Sequence, residues 1–249
     1  MLEPITLVLV CLAAFAGAIV GGIGGFGTGI VLTAVLAPLI GFKALVPVLS
    51  VAGVVINAGR FWMYRDNFDR YAARRVLLAG LPFLILGTWA YSRMDGRALG
   101  LWLGSFVILS IPLRRWLAAR GTLLGPIALT TGGGVFGFVS GAASGTGVIL
   151  VSLLLGAGLS GQAVLATDAM VTIVIDLSKT LLFGELGALN FSALTLGCLI
   201  GLSTLPASRL AAWCVERLGA RVHALAMDAL ILVGGASMLW QALRTETTF

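Results

Sequence analysis

Gly21-Gly22-Ile23-Gly24-Gly25-Phe26-Gly27-Thr28 breaks an apolar run near the N-terminus, and Ser140-Gly141-Ala142-Ala143-Ser144-Gly145-Thr146 breaks a second one further along. The two breaks are in register. Gly17, Gly21, Gly25 and Gly27 recur as Gly137, Gly141, Gly145 and Gly147, an offset of 120. With one deletion the offset becomes 119, and Val-Ile-Asn-Ala-Gly-Arg at 55–60 then falls on Val-Ile-Asp-Leu-Ser-Lys at 174–179. Tyr64 falls on Phe183 and Asp66 on Glu185. Glycine matches are common by chance in an apolar chain. A cation at 60 matched by one at 179 is not, because charges inside such helices are rare. The chain therefore reads as two repeats, 1–121 and 122–249.

Composition says which solvent those repeats face. Of 249 residues, 59% are hydrophobic and only 10% charged, against roughly a quarter charged in a soluble domain. Too few polar side chains exist to cover a water-facing surface, so the expected solvent is lipid. The apolar stretches run too long, without period-two alternation, for an outer-membrane barrel. A net charge of +6 raises nucleic-acid binding. The cations sit instead in short clusters between apolar segments, where orientation-setting arginines belong, so no nucleic-acid partner is expected. Cys11, Cys198 and Cys214 lack metal spacing and read as small packing residues; no metal or cofactor is called for. Met1 to Ala18 resembles a signal peptide but carries Glu3 in place of a basic start, and reads as a retained helix.

Ten apolar segments follow, at roughly 4–23, 27–40, 43–64, 76–92, 98–113, 122–141, 146–159, 162–183, 190–208 and 222–243. The second and seventh have about 14 residues, roughly 21 Å of helix, short of the ~30 Å hydrocarbon core. They are either short spans or halves of re-entrant hairpins. The fifth and ninth also run short, without a glycine break. If segments alternate sides, ten arginines (65, 70, 74, 75, 114, 115, 120, 209, 217 and 221) fall on one side, and Lys43, Arg93, Arg97 and Arg244 on the other. The arginine-rich side is expected to be cytoplasmic, which puts both termini outside. Five segments per half is an odd number, so the repeats are expected to be inverted, a design shared by many secondary transporters. The expected fold is an all-α polytopic bundle in the inner membrane.

Three groups of residues have the means to carry chemistry. Each glycine-rich break precedes a short helix whose first amides lack intrahelical acceptors. The helix dipole favours negative charge there, and glycine lets an anion approach the backbone. Gly24, Gly25, Phe26, Gly27 and Thr28 in the first break, with Ser144, Gly145 and Thr146 in the second, are the expected substrate-binding set. Close helix packing through small residues is the competing reading; duplication before a shortened helix at both places favours a site. The eighth segment adds Thr167, Asp168, Thr172, Asp176 and Lys179. At ~100° per residue, Asp168, Thr172, Asp176 and Lys179 fall within an arc of ~80°. Such a stripe is expected to face a cavity or a partner helix. Asp176 and Lys179 are spaced to pair; alternatively Asp168 is solvated near the cytoplasmic end and Lys179 snorkels. Asp176 is a candidate for coupling to protons, with a purely structural ion pair as the alternative. Asn57 and Arg60 are the first-repeat counterparts of Asp176 and Lys179. Asn57 is expected to line the same cavity, while Arg60 is either a charge partner or a cytoplasmic anchor. Asp228 has no evident partner in the sequence.

Enzyme signatures are mostly missing. Ala-Ala-Ser-Gly at 142–145 falls short of the Gly-x-Ser-Gly of rhomboid proteases, and the sole histidine, His223, lies beside an arginine-rich loop. There is no Gly-x-Gly-Asp pair and no P-loop.

Gly-Gly-Ile-Gly-Gly-Phe-Gly-Thr-Gly-Ile at 21–30 and Ser-Gly-Ala-Ala-Ser-Gly-Thr-Gly-Val-Ile at 140–149 resemble the paired tracts of the TauE/SafE permeases, described as sulfite or sulfonate exporters. Ala163 to Asp168 is similar to the family's Ala-x-x-Thr-Ser element, with Asp168 in the serine place; Val-Pro-Val-Leu-Ser at 46–50 keeps only the serine. The resemblance covers essentially the whole chain. It departs at Ala142 and Ala143, where a fuller glycine run is usual, and at Asp168. It implies a secondary transporter of a small inorganic or organic anion, sulfur-containing or carboxylate, with protons as a candidate coupling partner. An intramembrane enzyme using Asp168 and Asp176, or an uncoupled channel, is the alternative. The anion, the direction of transport and homo-oligomer formation are left open.

Overall fold

The computed structural model describes residues 4–21, 27–119, 124–218 and 220–244. Among them the chain forms ten α-helices: α1 (Pro4–Gly21), α2 (Gly27–Ile40), α3 (Phe42–Tyr64), α4 (Arg70–Arg93), α5 (Gly96–Ala119), α6 (Pro126–Ala142), α7 (Gly147–Gly156), α8 (Gly161–Glu185), α9 (Phe191–Leu218) and α10 (Ala220–Arg244). No strand occurs among the described residues. The architecture is a polytopic helical membrane bundle, and the runs 42–67, 70–93 and 96–113 are long and apolar enough to cross a bilayer outright.

The two short segments stay short. α2 has 14 residues and α7 has 10. The fifth and ninth segments do not: α5 has 24 residues and α9 has 28. Hydropathy ends where arginines begin, but a helix does not, because arginine is a good helix former whose stem lies along apolar surface. For the same reason α4 starts at Arg70, well before its apolar run. Its start is set by Asp69, whose carboxylate accepts from the Ala72 amide at 2.8 Å.

Aromatic residues mark the water boundaries. Arg65 stacks on Trp62 and Arg75 on Tyr71 at one end of the bundle. Arg93 on Trp89 and Arg244 on Trp240 do the same where α4 and α10 end. Tyr71 and Trp89 are 18 residues apart on α4, about 27 Å of rise, close to the thickness of the hydrocarbon core. Between these ends the outward side chains are apolar: Leu78, Phe83, Leu86, Leu181, Leu202 and Val233 are all exposed.

Helix packing converges on α3 and α8. They cross at the centre, with α9 against α3 and α4 against α8. Outside them α4 packs on α6, α1 on α9, and α5 on α10. The α4–α6 contact is unusually close because Gly133, Gly137 and Gly141 present bare backbone at four-residue spacing. A Cβ on Gly133 would sit 2.5 Å from the Val76 carbonyl, and one on Gly141 2.5 Å from that of Leu84. In lipid, where burial gives no hydrophobic gain between helices, such backbone approach supplies much of the association energy.

Candidate functional site

Three contacts set the register of α3 on α8. Thr180 Oγ1 donates to Ser50 Oγ at 3.2 Å. Gly53 lies against the Asp176 carboxylate, where any Cβ would collide. Arg60 Nη1 donates to Asp168 Oδ2 at 2.5 Å. Rising numbers on α3 meet falling numbers on α8, so the two helices run antiparallel. Asp168 and Asp176 are eight residues apart, which places two charged levels about 12 Å from each other along α8.

A cavity of about 650 Å³, counted with its open mouth, lies along this crossing. From α3 it is lined by Gly53, Asn57 and Arg60, and from α8 by Asp168, Thr172, Asp176 and Lys179. The remaining wall is made by Thr28 and Gly29 at the start of α2, Phe136 of α6, and Ser144, Gly145, Thr146 and Gly147 at the start of α7.

The beginnings of the two short helices touch. A Cβ on Gly29 would lie 2.7 Å from Gly145 Cα, and a Cβ on Gly145 would strike the Ile30 backbone. Gly145 also has φ +83, the left-handed region that favours glycine. Thr146 is the N-cap of α7 but makes no capping hydrogen bond; its hydroxyl pairs with Ser140 Oγ at 2.6 Å. Its carbonyl accepts from the Ile149 and Leu150 amides, which leaves the first amides of α7 at the cavity wall without a capping side chain.

The expected residues are distributed as follows. Thr28, Asn57, Arg60, Ser144, Gly145, Thr146, Asp168, Thr172, Asp176 and Lys179 share the one cavity. Gly27, the first residue of α2, is buried beside it. Gly24, Gly25 and Phe26 lie outside the described residues. Thr167 is not on the cavity wall: its buried hydroxyl accepts from the Asp69 amide at 3.1 Å and holds the start of α4. Neither Asp168 nor Lys179 reaches water, at 2% and 3% exposure. Lys179 Nζ contacts Asp176 Oδ1 at 2.9 Å instead of snorkelling, and Arg60 turns inward to Asp168. Asp228 has a partner after all, since Arg115 of α5 reaches it at 2.8 Å.

Two acceptors on the cavity wall lack partners among the described residues. Asn57 donates its amide to the Gly53 carbonyl at 2.9 Å, which orients Oδ1 without satisfying it. Asp168 Oδ1 is the other. Buried acceptors in this condition are costly and call for a donor.

The starts of α2 and α7 at one charged cavity agree with a comparison to protein families: the family described as "Sulfite exporter TauE/SafE" matches residues 9–238. The chain belongs to that family. TauE/SafE proteins are transporters of sulfite-like anions, so this chain is an integral membrane protein of a transport family, with a small anion as substrate class. No curated protein and no solved structure gives a significant match to it.

Sequence reasoning missed Gly29 and Gly53, two cavity-lining glycines at which a Cβ would collide with Gly145 and with the Asp176 carboxylate. The signal was present for Gly53. It falls on Thr172 at the offset of 119, so the repeat puts bare backbone opposite a polar side chain at a matched place.

Proposed function

We propose that the chain is a secondary transporter of a small sulfur-bearing anion, working by alternating access between repeats 1–121 and 122–249 in inverted orientation. The observation that carries the reading is the meeting of the starts of α2 and α7 at a cavity that also holds Arg60 and Lys179. Amides at the start of α7, hydroxyls of Thr28, Ser144 and Thr146, and two cations form a donor-rich wall suited to an oxyanion. Inverted orientation draws support from the antiparallel crossing of α3 and α8, counterparts in the two repeats. It also draws support from the packing pairs: α1 on α9 corresponds to α6 on α4, and α9 on α3 to α4 on α8. The membrane is the inner one, with the arginine-rich ends of α3 and α4 cytoplasmic and both termini outside.

The test is counterflow in proteoliposomes. Vesicles preloaded with unlabelled sulfite should accumulate labelled sulfite transiently and saturably, with no requirement for ATP. Uptake that never saturates would indicate a channel, and absence of any sulfite, thiosulfate or sulfonate movement would overturn the reading.

A further inference from the structure

Resting on that anion reading, we infer that Asp168 takes up a proton when the anion arrives, so that Arg60 turns from Asp168 to the anion and the proton neutralises the carboxylate left behind. The cavity's ionisable lining groups among the described residues are Arg60, Lys179, Asp168 and Asp176, which balance. An anion entering this balanced, poorly solvated space adds a charge with no compensation, and several kcal/mol oppose such an addition. The anion must therefore come with a positive charge or displace a negative one.

Geometry selects the carboxylate. Asp176 is held by Lys179 from its own helix, so motion between repeats leaves that pair intact. Asp168 is bound across the helix interface by Arg60, the cation an entering anion can compete for. Its other oxygen, Oδ1, is buried at the cavity wall with no partner among the described residues. An anion that takes Arg60 leaves Asp168 in need of a donor on both oxygens.

The charged surroundings offer no substitute. Arg60 is the group reaching Asp168 from α3, and Asp176 and Lys179 lie beyond it on α8. Asp69, before α4, is committed to the Ala72 amide, and Asp66, in the turn after α3, is exposed beside Arg65. On α4, Arg70 and Arg74 are exposed and Arg75 lies over Tyr71. The described parts of α2, α6 and α7 contain no ionisable side chain. In the exchange, the Asp168–Arg60 hydrogen bond breaks, an Arg60–anion bond forms, and one proton from the aqueous mouth adds to the Asp168 carboxylate. Net charge in the cavity is unchanged. Because linkage is reciprocal, proton and anion then strengthen each other's binding.

The test uses detergent-purified full-length protein and methanesulfonate, which stays ionised throughout the working pH range. Sulfite serves as a second probe, with its own titration subtracted. Calorimetry in buffers of different ionisation enthalpy counts protons per anion bound. Wild type should take up about one, and Asp66→Asn, an exposed carboxylate outside the cavity, should do the same. Asp168→Asn should take up close to none, and Asp168→Glu should retain uptake, which decides the matter should the Asn variant not fold. Above the pH at which Asp168 titrates, wild-type affinity should fall about tenfold per pH unit, the slope for one linked proton. Anion binding without proton uptake in wild type overturns the proposal, as does proton uptake retained in Asp168→Asn. Failure of wild type to bind either probe at any pH would instead remove the anion reading beneath it.

Discussion

The cavity holds two ion pairs of similar composition and different construction. Asp176 and Lys179 belong to one helix at i and i+3, and move as a unit. Arg60 and Asp168 come from α3 and α8, and so from the two proposed repeats. The proposed rocking between them would cost the first pair nothing and would stretch or break the second. The local pair is suited to a permanent fixture that allows charge to exist in the wall at all. The bridging pair is suited to a contact remade in each cycle. Burial sharpens the contrast: the Lys179 side chain is 3% exposed against 16% for Arg60, so Arg60 has a route to water that Lys179 lacks.

The largest effect should come from breaking the local pair on one side only. Asp176→Asn or Lys179→Met leaves an uncompensated buried charge, and each should cost about 3–5 kcal/mol. The double variant should recover most of that, because both charges leave together. Thermal unfolding in detergent reads the result; a double variant no more stable than either single would mean that the pair is not the unit it is taken to be.

An intermediate effect is expected at the bridging pair. Arg60→Met strands Asp168, whereas Asp168→Asn leaves a cation able to lean towards the mouth of the cavity. Arg60→Met should therefore destabilise by ~2–4 kcal/mol and Asp168→Asn by less, with counterflow lost in the first. Equal costs for the two would erase the asymmetry drawn from their exposure.

The smallest effect tests the space between the levels. Gly53→Ala pushes a methyl group onto the Asp176 carboxylate, and such overpacking should cost ~1–3 kcal/mol. The cost should shrink when Asp176→Ala is combined with it, since the collision partner is then gone. Thermal unfolding of the single and double variants checks this, and a cost unchanged by the second substitution would place the strain elsewhere.

Much of this arrangement is legible in sequence because lipid makes each polar residue conspicuous. The membrane class follows from composition, and the short α2 and α7 follow from their glycine breaks. The stripe on α8 follows from helical periodicity, since Asp168, Thr172, Asp176 and Lys179 all reach one cavity. Pairing across helices was not legible. Nothing local joins Arg60 to Asp168, 108 residues apart, or Arg115 to Asp228, because the register of two crossing helices is set by packing. Thr167 shows the converse error. It adjoins the stripe in sequence, but at ~100° of rotation it faces the start of α4. α5 and α9 run on past the apolar segments at 98–113 and 190–208 because hydropathy reports where lipid stops, while hydrogen bonding continues the helix into the arginines.

The central claim is that a small oxyanion lodges between the two ion-pair levels, against Gly145 and the start of α7. Selenite, the heavier analogue of sulfite, tests it most directly through an anomalous difference map of crystals grown with the ion. The account predicts a selenium peak inside the cavity, within hydrogen-bond reach of the start of α7 and of Arg60 or Lys179. A selenium peak outside the cavity, or an empty cavity in protein that transports selenite, would contradict it.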